Sequence, residues 1–518
     1  MKRTVRCLIV SLALAWPLAL QAEPFSFPGL DDPKLAKAIE QAMARPDPRY
    51  CDELAPLWAE AFQRSKTRPT PLLLMSANTA VMCALERERY EDASSLIVRT
   101  EAKFGQLEVF DQLALALHSH LQEHDLAAAR LATIAGRGED SVLDEIDPAV
   151  IFQLNNSLIR AQRDDLREKM WSAIQASPKF AGLDPDLRGG SAINLLDIKA
   201  DSAKLSEADT ALVDLVTNTS AYARMLADRR FASLWPYMEE RAGDGLVRLI
   251  EADLKLNRER YDAAPEDPER LSDLGYALLQ AGQIGQLLDM TARFRAKDAD
   301  YAALSEDGAW IVNYLAIGLK ASGRQQEGIA VIDRLASLKP ETHPWVVNYV
   351  INHAIALAED EQHAAALKAL DRAAPVAEKH GSPYARALVA GQRACSHHKL
   401  GHARQMEEQI ALMQGLREDA PGPAVVYAMC AGREDLAIAW AREALASDNS
   451  RATMMSELQP AYMESMPTSV TDQDPYLLLA RSPELAAEFD KLARIVPERF
   501  APLGGRIRIV PTQGAKAK

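Results

Sequence analysis

The chain has few aromatic residues, a shortage of basic charge and few long apolar runs. Aromatic side chains make up 6% of its 518 residues, and 59 Lys and Arg residues face 73 Asp and Glu residues, for a formal net charge of −14. This acidity argues against nucleic-acid partners, because the phosphate backbone attracts a basic surface. Gly and Pro occur at ordinary frequency, which excludes collagen-like and low-complexity sequences.

The first 22 residues have the pattern of a bacterial signal peptide. Met1–Arg6 carries three positive charges and no acid, Cys7–Leu20 is apolar, and Ala22 provides the small residue that a signal peptidase requires. An uncleaved N-terminal anchor helix is the alternative. No later stretch reaches the roughly 18 consecutive apolar residues of a membrane-spanning helix. We therefore expect a periplasmic or secreted protein whose mature chain has no transmembrane segment.

Four cysteines lie beyond the leader, and an even number in an exported chain permits disulfides. If helices fill about 50–65 and 72–86, Cys51 and Cys83 lie nearly level across a hairpin, offset by about 4.5 Å of helix rise. We predict a disulfide between them. Cys395 and Cys430 are 35 residues apart on what would be equivalent helices. They form either a second disulfide or two buried free thiols.

Apolar residues recur at three- and four-residue spacing along nearly the whole chain, which predicts an all-α protein. The main exception is the alternating segment 506–510. The helical stretches span about 12–18 residues, and the short breaks between them favour antiparallel neighbours. A single hairpin leaves one apolar face uncovered, so hairpins are expected to stack.

An internal repeat supports stacked hairpins. The segment Trp310–Leu315 recurs as Trp345–Val350, 35 residues later. A period in the thirties is typical of helix–turn–helix repeats. Gly323 and Gly328 then supply the turn and a close helix contact, and Pro340 ends the unit.

These residues resemble the tetratricopeptide (TPR) family. Asp273–Gln283 matches the first half of its repeat, and Glu434–Ala437 with Ala441 and Ala444 matches the second half. The resemblance is good over about 268–446 and weak over about 50–176. Leu287 departs from it, standing where the family has a small residue. The resemblance implies an α-solenoid of stacked antiparallel helix hairpins, and the family serves as a scaffold for many partners.

Composition and repeats divide the chain into six expected segments. They are a signal peptide (1–22), degenerate helical repeats (23–180), a helical junction (181–262), TPR-like repeats (263–450), C-terminal capping helices (451–496) and a flexible tail (497–518).

The resemblance also implies a groove lined by one stripe of each first helix. Mapped onto this sequence, the stripe contains Ser272, Tyr276, Leu279, Trp310, Asn313, Ile317, Lys320, Trp345 and Asn348. A stacked pair of Asn313 and Asn348 would bond the backbone amides of a bound peptide. Alternatively, the tryptophans pack between repeats and the asparagines bond neighbouring loops.

Motifs for catalysis are incomplete. His120–His124 has the H-x-x-E-H pattern of inverted zinc peptidases, but the expected turn between two helices falls inside it. Cys395–His398 is a single cluster without a partner at zinc spacing. Glu464-Ser465 is a fragment of the catalytic segment of peptidoglycan-cleaving enzymes, without the rest of that segment. We expect no catalytic residue, metal or cofactor.

The leading hypothesis is an exported, non-catalytic scaffold of the bacterial cell envelope, which binds a peptide or helix of a protein partner in its groove. The alternative is an envelope module that binds a small molecule or polysaccharide, or an accessory subunit of a cell-wall or export enzyme.

Overall fold

The computed structural model describes residues 33–43, 50–64, 71–138, 141–296, 301–469 and 473–509. The expected signal peptide and the last nine residues of the expected tail lie outside these ranges. The described part divides into two units, 1–198 and 199–518, with the boundary inside the segment 181–262 that the sequence suggested as a junction. No helix among the described residues is long and apolar enough to cross a membrane.

Among the described residues, nine α-helices begin in the first unit. They are α1 (Pro33–Met43), α2 (Ala55–Arg64), α3 (Pro71–Glu86), α4 (Tyr90–Phe104), α5 (Asp111–His120), α6 (His124–Ala135), α7 (Pro148–Arg160), α8 (Asp164–Ala176) and α9 (Pro185–Asp201). A π-helix, Tyr50–Leu54, precedes α2.

The second unit also consists mainly of α-helices, and two very short strands lie near its end. Its α-helices are α10 (Thr210–Val213), α11 (Thr219–Ala227), α12 (Trp235–Ala242), α13 (Val247–Ala263), α14 (Pro268–Gln280), α15 (Ile284–Met290), α16 (Trp310–Ala321), α17 (Gln325–Ala336), α18 (Val347–Glu359), α19 (His363–His380), α20 (Pro383–Lys399), α21 (Ala403–Leu416), α22 (Pro421–Cys430), α23 (Glu434–Ala446), α24 (Arg451–Glu457), α25 (Leu477–Arg481), α26 (Pro483–Leu492) and α27 (Leu503–Arg506). The strands β1 (Thr468–Ser469) and β2 (Arg508–Ile509) pair in parallel.

Consecutive helices pack as antiparallel hairpins, and the hairpins stack, which confirms the predicted all-α solenoid. In the second unit α16 packs on α17, α18 on α19, α20 on α21 and α22 on α23. The apolar faces that these pairs share form continuous cores, such as the one that includes Leu274, Leu315, Ile332 and Leu370. Several hairpins therefore contribute to each core, and no single hairpin forms a core by itself.

One backbone geometry ends the first helix of each hairpin. A residue with positive φ follows the helix, and the next N–H bonds the carbonyl five positions back, as Arg324 N bonds Leu319 O at 2.8 Å. This is a Schellman ending, which turns the chain sharply enough for the second helix to begin at once. The left-handed positions are Glu88, Gln122, Gln162, Gly282, Gly323, Glu361, Gly401 and Gly432. Their recurrence defines a helical repeat in both units.

Both cysteine pairs form disulfides. Cys51 and Cys83 join the π-helix to α3. Cys395 and Cys430 join the first helices of two successive hairpins, α20 and α22. Each pair has Cα atoms 5.1 Å apart. Two disulfides are compatible with an oxidising compartment outside the cytoplasm.

The left-handed turns predict opposite effects for two substitutions. Gly323 has φ of 74° and open space around the position of a Cβ atom. Gly323→Ala therefore adds backbone strain alone and should lower the free energy of unfolding by about 1 kcal/mol. Glu361 already bears that strain at φ of 59°, so Glu361→Gly should raise the free energy of unfolding by roughly 0.5–1 kcal/mol. Urea denaturation measures both values, and shifts of the same sign would contradict the shared geometry.

Candidate functional site

The candidate binding surface is the first-helix face of the second unit, formed by α14, α16, α18, α20 and α22. Three of the neighbouring pairs pack directly: α14 on α16, α18 on α20, and α20 on α22. Side-chain contacts join α16 to α18, including the Trp310 and Tyr349 rings at 5.7 Å between centroids. In stacked hairpins this face is the concave one that binds partners.

The beginning and the end of the second unit pack against each other, so this stack of hairpins closes on itself. Arg494 is central to the closure: its backbone N–H donates to Ala227 O at 2.8 Å, and its Nε donates to Leu226 O at 2.8 Å. Its guanidinium also pairs with Glu239 at 2.7 Å and lies over the ring of Trp235 at 3.7 Å. These contacts connect positions more than 250 residues apart, which no local pattern reveals.

The C-terminal segment covers the α14 end of the first-helix face. Tyr276 on α14 lies 3.3 Å, hydroxyl to hydroxyl, from Ser465. A Cβ atom on Gly505 or Gly504 would collide with backbone atoms, so only glycine permits this close approach. Leu279 and Ser272 are buried. The three groove positions mapped onto α14 are therefore committed to packing within the chain.

The sequence suggested a flexible tail over 497–518, but the described part of this segment packs against the rest of the second unit. Residues 497–509 contain α27 and β2, and β2 pairs with β1 through Thr468 opposite Arg508 and Ser469 opposite Ile509. Ile507 and Leu503 lie against Gly282, at the end of the α14 hairpin turn. The physical reason is burial: Ile509 is only 4% exposed and Ile507 is half-buried, whereas Leu503 stays exposed.

The two copies of the repeated tryptophan motif occupy different places in their hairpins. Trp310 is the first residue of α16, whereas Trp345 lies in the 3-10 helix Pro344–Val346 that precedes α18. The left-handed turns Gly323 and Glu361 are 38 residues apart, three more than the sequence motif. Counted back from the left-handed turn of each hairpin, Trp310 and Asn348 therefore occupy equivalent positions.

No hydrogen bond joins the side chains of Asn313 and Asn348 among the described residues. Asn313 instead accepts a hydrogen bond from Asn352, with Nδ2 and Oδ1 3.2 Å apart. Lys320, expected in the groove, forms an ion pair with Glu359 and is only 10% exposed. Asn348 is half-buried and has no side-chain hydrogen bond among the described residues. Of these polar groove residues, Asn348 is thus the one whose side chain remains available.

The aromatic residues of this face form a continuous row. Ring centroids lie 5.7 Å apart for Tyr276 and Tyr314, 6.2 Å for Tyr314 and Trp310, and 5.7 Å for Tyr349 and Trp345. Tyr349 is fully buried, and its hydroxyl has no hydrogen-bond partner among the described residues. Burial raises the pKa values of Tyr314 and Tyr349. Trp310 and Trp345 remain half-exposed, which leaves flat apolar surface for a ligand.

Two carboxylates lie near the C-terminal end of this face. Glu457 ends α24 and approaches Gly422 on α22. Burial, and then the charges of Glu464 and Asp474, raise the pKa of Glu457 to about 7. Burial also raises the pKa of Glu464, although its side chain retains solvent access.

The histidines of two candidate motifs lie at or near helix ends. A helix ends at His120 and the next begins at His124, so the turn separates the two histidines. His397 and His402 approach each other at 3.3 Å between Nδ1 atoms. Within the described residues, no three His, Cys, Asp or Glu side chains could hold a metal ion together.

Several features of the face were missed by sequence reasoning. Tyr349 reads as an ordinary core residue, and Glu457 is one of 73 acidic residues without a distinguishing motif. Arg494 has no sequence signal either, because its partners belong to α11 and α12. The aromatic repeat around Trp310 and the resemblance to the TPR family were the sequence features that pointed to this surface.

Comparison with known proteins adds no family assignment. No protein-family model matches the chain, and a search of curated proteins finds no match.

The carboxylate of Glu457 predicts a pH-dependent stability. Its folded pKa of about 7 lies above the ordinary value of 4.5, so folding favours the protonated form. The stability from this group is full below about pH 4.5 and is lost as the pH rises through about 7. Glu457→Gln should therefore leave the free energy of unfolding unchanged at low pH and raise it by roughly 1–3 kcal/mol at about pH 8.

Thermal or urea unfolding of both proteins across this pH range tests the prediction. Glu378→Gln, which changes an exposed acid on α19, is the matched control and should show no such pH dependence. A Glu457→Gln effect that is equal at all pH values would contradict the raised pKa.

Proposed function

We propose that this chain is an exported, non-catalytic scaffold of the bacterial cell envelope that binds a segment of a protein partner. The observation that carries the proposal is the half-buried pair Trp310 and Trp345 on the first-helix face, together with the available amide of Asn348. Flat aromatic surface and a free amide suit a peptide or helix, since the rings supply apolar area and the amide bonds backbone groups.

The covered part of the face supports the same proposal. On α14 the chain's own segments around Ser465 and Gly504 lie against the first helix through one polar contact and close backbone packing. The first-helix face of this unit therefore accepts segments of polypeptide from outside its own hairpin. We propose that α16 and α18 present an equivalent surface to a partner.

Export is proposed from the leader sequence at residues 1–22 together with the two disulfides. The net charge of −14 argues against nucleic acid as the partner. A cell-envelope protein is then the expected partner class.

A second candidate function is binding of a polysaccharide or small molecule. Trp310 and Trp345 favour it, because half-exposed tryptophan rings also suit the apolar faces of sugars. Heat stabilisation by oligosaccharides or muropeptides, with no protein retained from envelope extract, would support this second function.

A capture experiment with matched variants tests the leading proposal. Immobilised wild-type protein should retain one stoichiometric envelope protein. The double substitution Trp310→Ala and Asn348→Asp should reduce that retention at least about tenfold, which corresponds to losing roughly 1.4 kcal/mol of binding free energy.

The control is Trp440→Phe, a substitution on the buried side of the second helix α23. This variant should retain the partner as well as wild type does. If the same partner is retained equally by the Trp310/Asn348 double variant, with both variants folded by circular dichroism, the first-helix face is not the binding surface.

A further inference from the structure

A cavity of about 160 Å³ lies in the first unit, where α2, α3 and α4 meet. Its inner wall includes the buried residues Phe62 on α2, Ala77 and Ala80 on α3, and Thr100 on α4. The Thr100 hydroxyl donates to Leu96 O at 2.6 Å, so this wall is mainly apolar. Because an apolar cavity of about 150 Å³ accommodates one benzene molecule, the space suits an apolar group of about six carbon atoms.

Two cations line the exposed edge of this cavity. Arg99 and Lys103 lie one helical turn apart on the same side of α4, and both residues are exposed. Among the described residues, neither forms an ion pair with a carboxylate. Like charges at this spacing repel each other and destabilise the helix slightly. An anion bound between them would offset that repulsion.

Both cations keep hydrogen-bond donors for a ligand. Arg99 uses its Nε, which donates to Ser95 O at 3.2 Å. Its two terminal amino groups have no hydrogen bond within the described part of the chain, and they match the two oxygens of a carboxylate. Lys103 Nζ donates to Phe62 O at 3.0 Å and to Gln63 O at 3.2 Å. One of its three N–H groups therefore remains for a ligand.

The acidic residues nearest in sequence to the cavity wall are paired with other cations. Glu101 on α4 pairs with Arg130 on α6, and Glu60 on α2 pairs with Arg64. No Asp or Glu is among the described residues that line the cavity. The net charge of −14 repels anions at long range, but salt screens charges beyond about 10 Å at 0.1 M. The two cations therefore determine the local preference for an anion.

The end of α2 favours a ligand with a single negative charge. The two carbonyl groups that Lys103 bonds belong to the last turn of α2, and a helix end of this kind carries about half a negative charge. This partial charge compensates part of the Lys103 ammonium. The edge of the cavity therefore presents less than two positive charges, which suits a monoanion better than a dianion.

We propose that this cavity binds a small amphiphilic carboxylate, with an apolar chain of about six carbon atoms. The chain lies against Phe62, Ala77 and Ala80, and the carboxylate pairs with Arg99 and Lys103. The proposal does not depend on the first-helix face of the second unit, because every lining residue belongs to the first unit.

Calorimetric titration of the purified protein with hexanoate tests the proposal at about pH 7, where a carboxylate is ionised. Saturable binding is expected. Arg99→Gln should weaken it roughly tenfold or more, because charge-assisted hydrogen bonds are lost. Ala59→Leu enlarges a half-buried side chain of the wall, and it should weaken binding about threefold or more by filling the cavity.

The matched control is Arg160→Gln. Arg160 is an exposed cation on α7 in the same unit, and its guanidinium donates to the Ser157 hydroxyl without an ion pair among the described residues. This variant should bind hexanoate as wild type does. The unfolding temperature of each variant shows that it is folded.

Two further ligands separate the apolar and charged contributions. Hexanol has the same chain without the charge, and acetate has the charge without the chain, so both should bind much more weakly than hexanoate. Hexanol that binds as tightly as hexanoate would overturn the role of Arg99 and Lys103, and acetate that does so would overturn the role of the apolar wall. Absence of saturable hexanoate binding, or equal affinity of Arg99→Gln and wild type, would overturn the proposal as a whole.

Discussion

The second unit depends on the contacts of Arg494, which hold its two ends together. The side chain bonds a backbone carbonyl at the end of α11, pairs with Glu239 on α12 and covers the ring of Trp235. Both charged partners are about one-fifth exposed, so the pair is partly desolvated and removal of one partner leaves the other poorly solvated. A stack of hairpins would otherwise end in two uncovered apolar faces. Closure covers both of them.

Closure also determines which part of the first-helix face is available. Because the chain returns to α11, its last segments pass over α14, where Gly504 allows close packing against the backbone of Leu279 and Gln280. The face is consequently covered at α14 and partly covered at α16, which β2 contacts. The same return path brings the segment around Glu464 close to α11. The accessible part of the first-helix face is thus a consequence of one long-range contact.

The sequence predicts what depends on local chemistry. Helical periodicity, short links and the glycines at turns such as Gly282 and Gly323 are enough to predict stacked hairpins, and helix rise alone places Cys51 level with Cys83. The polar groove residues were harder to predict. The match between Trp310 and Trp345 suggested equal registers, but a 3-10 helix before α18 adds three residues and shifts Asn348 into the place of Trp310. Contacts of Arg494 and Ser465 with helices some 190–270 residues away leave no local trace.

Hydrogen exchange of Arg494→Ala, compared with Arg499→Ala, tests the closure most directly. Arg499 also pairs with Glu239 but is 57% exposed, and exposed pairs contribute little stability. Loss of Arg494 should raise the exchange rates of residues 226–231 and 493–500 together, because both ends separate, whereas Arg499→Ala should leave both segments protected. Faster exchange confined to residues 493–500, or unchanged exchange in both segments, would contradict a closed second unit.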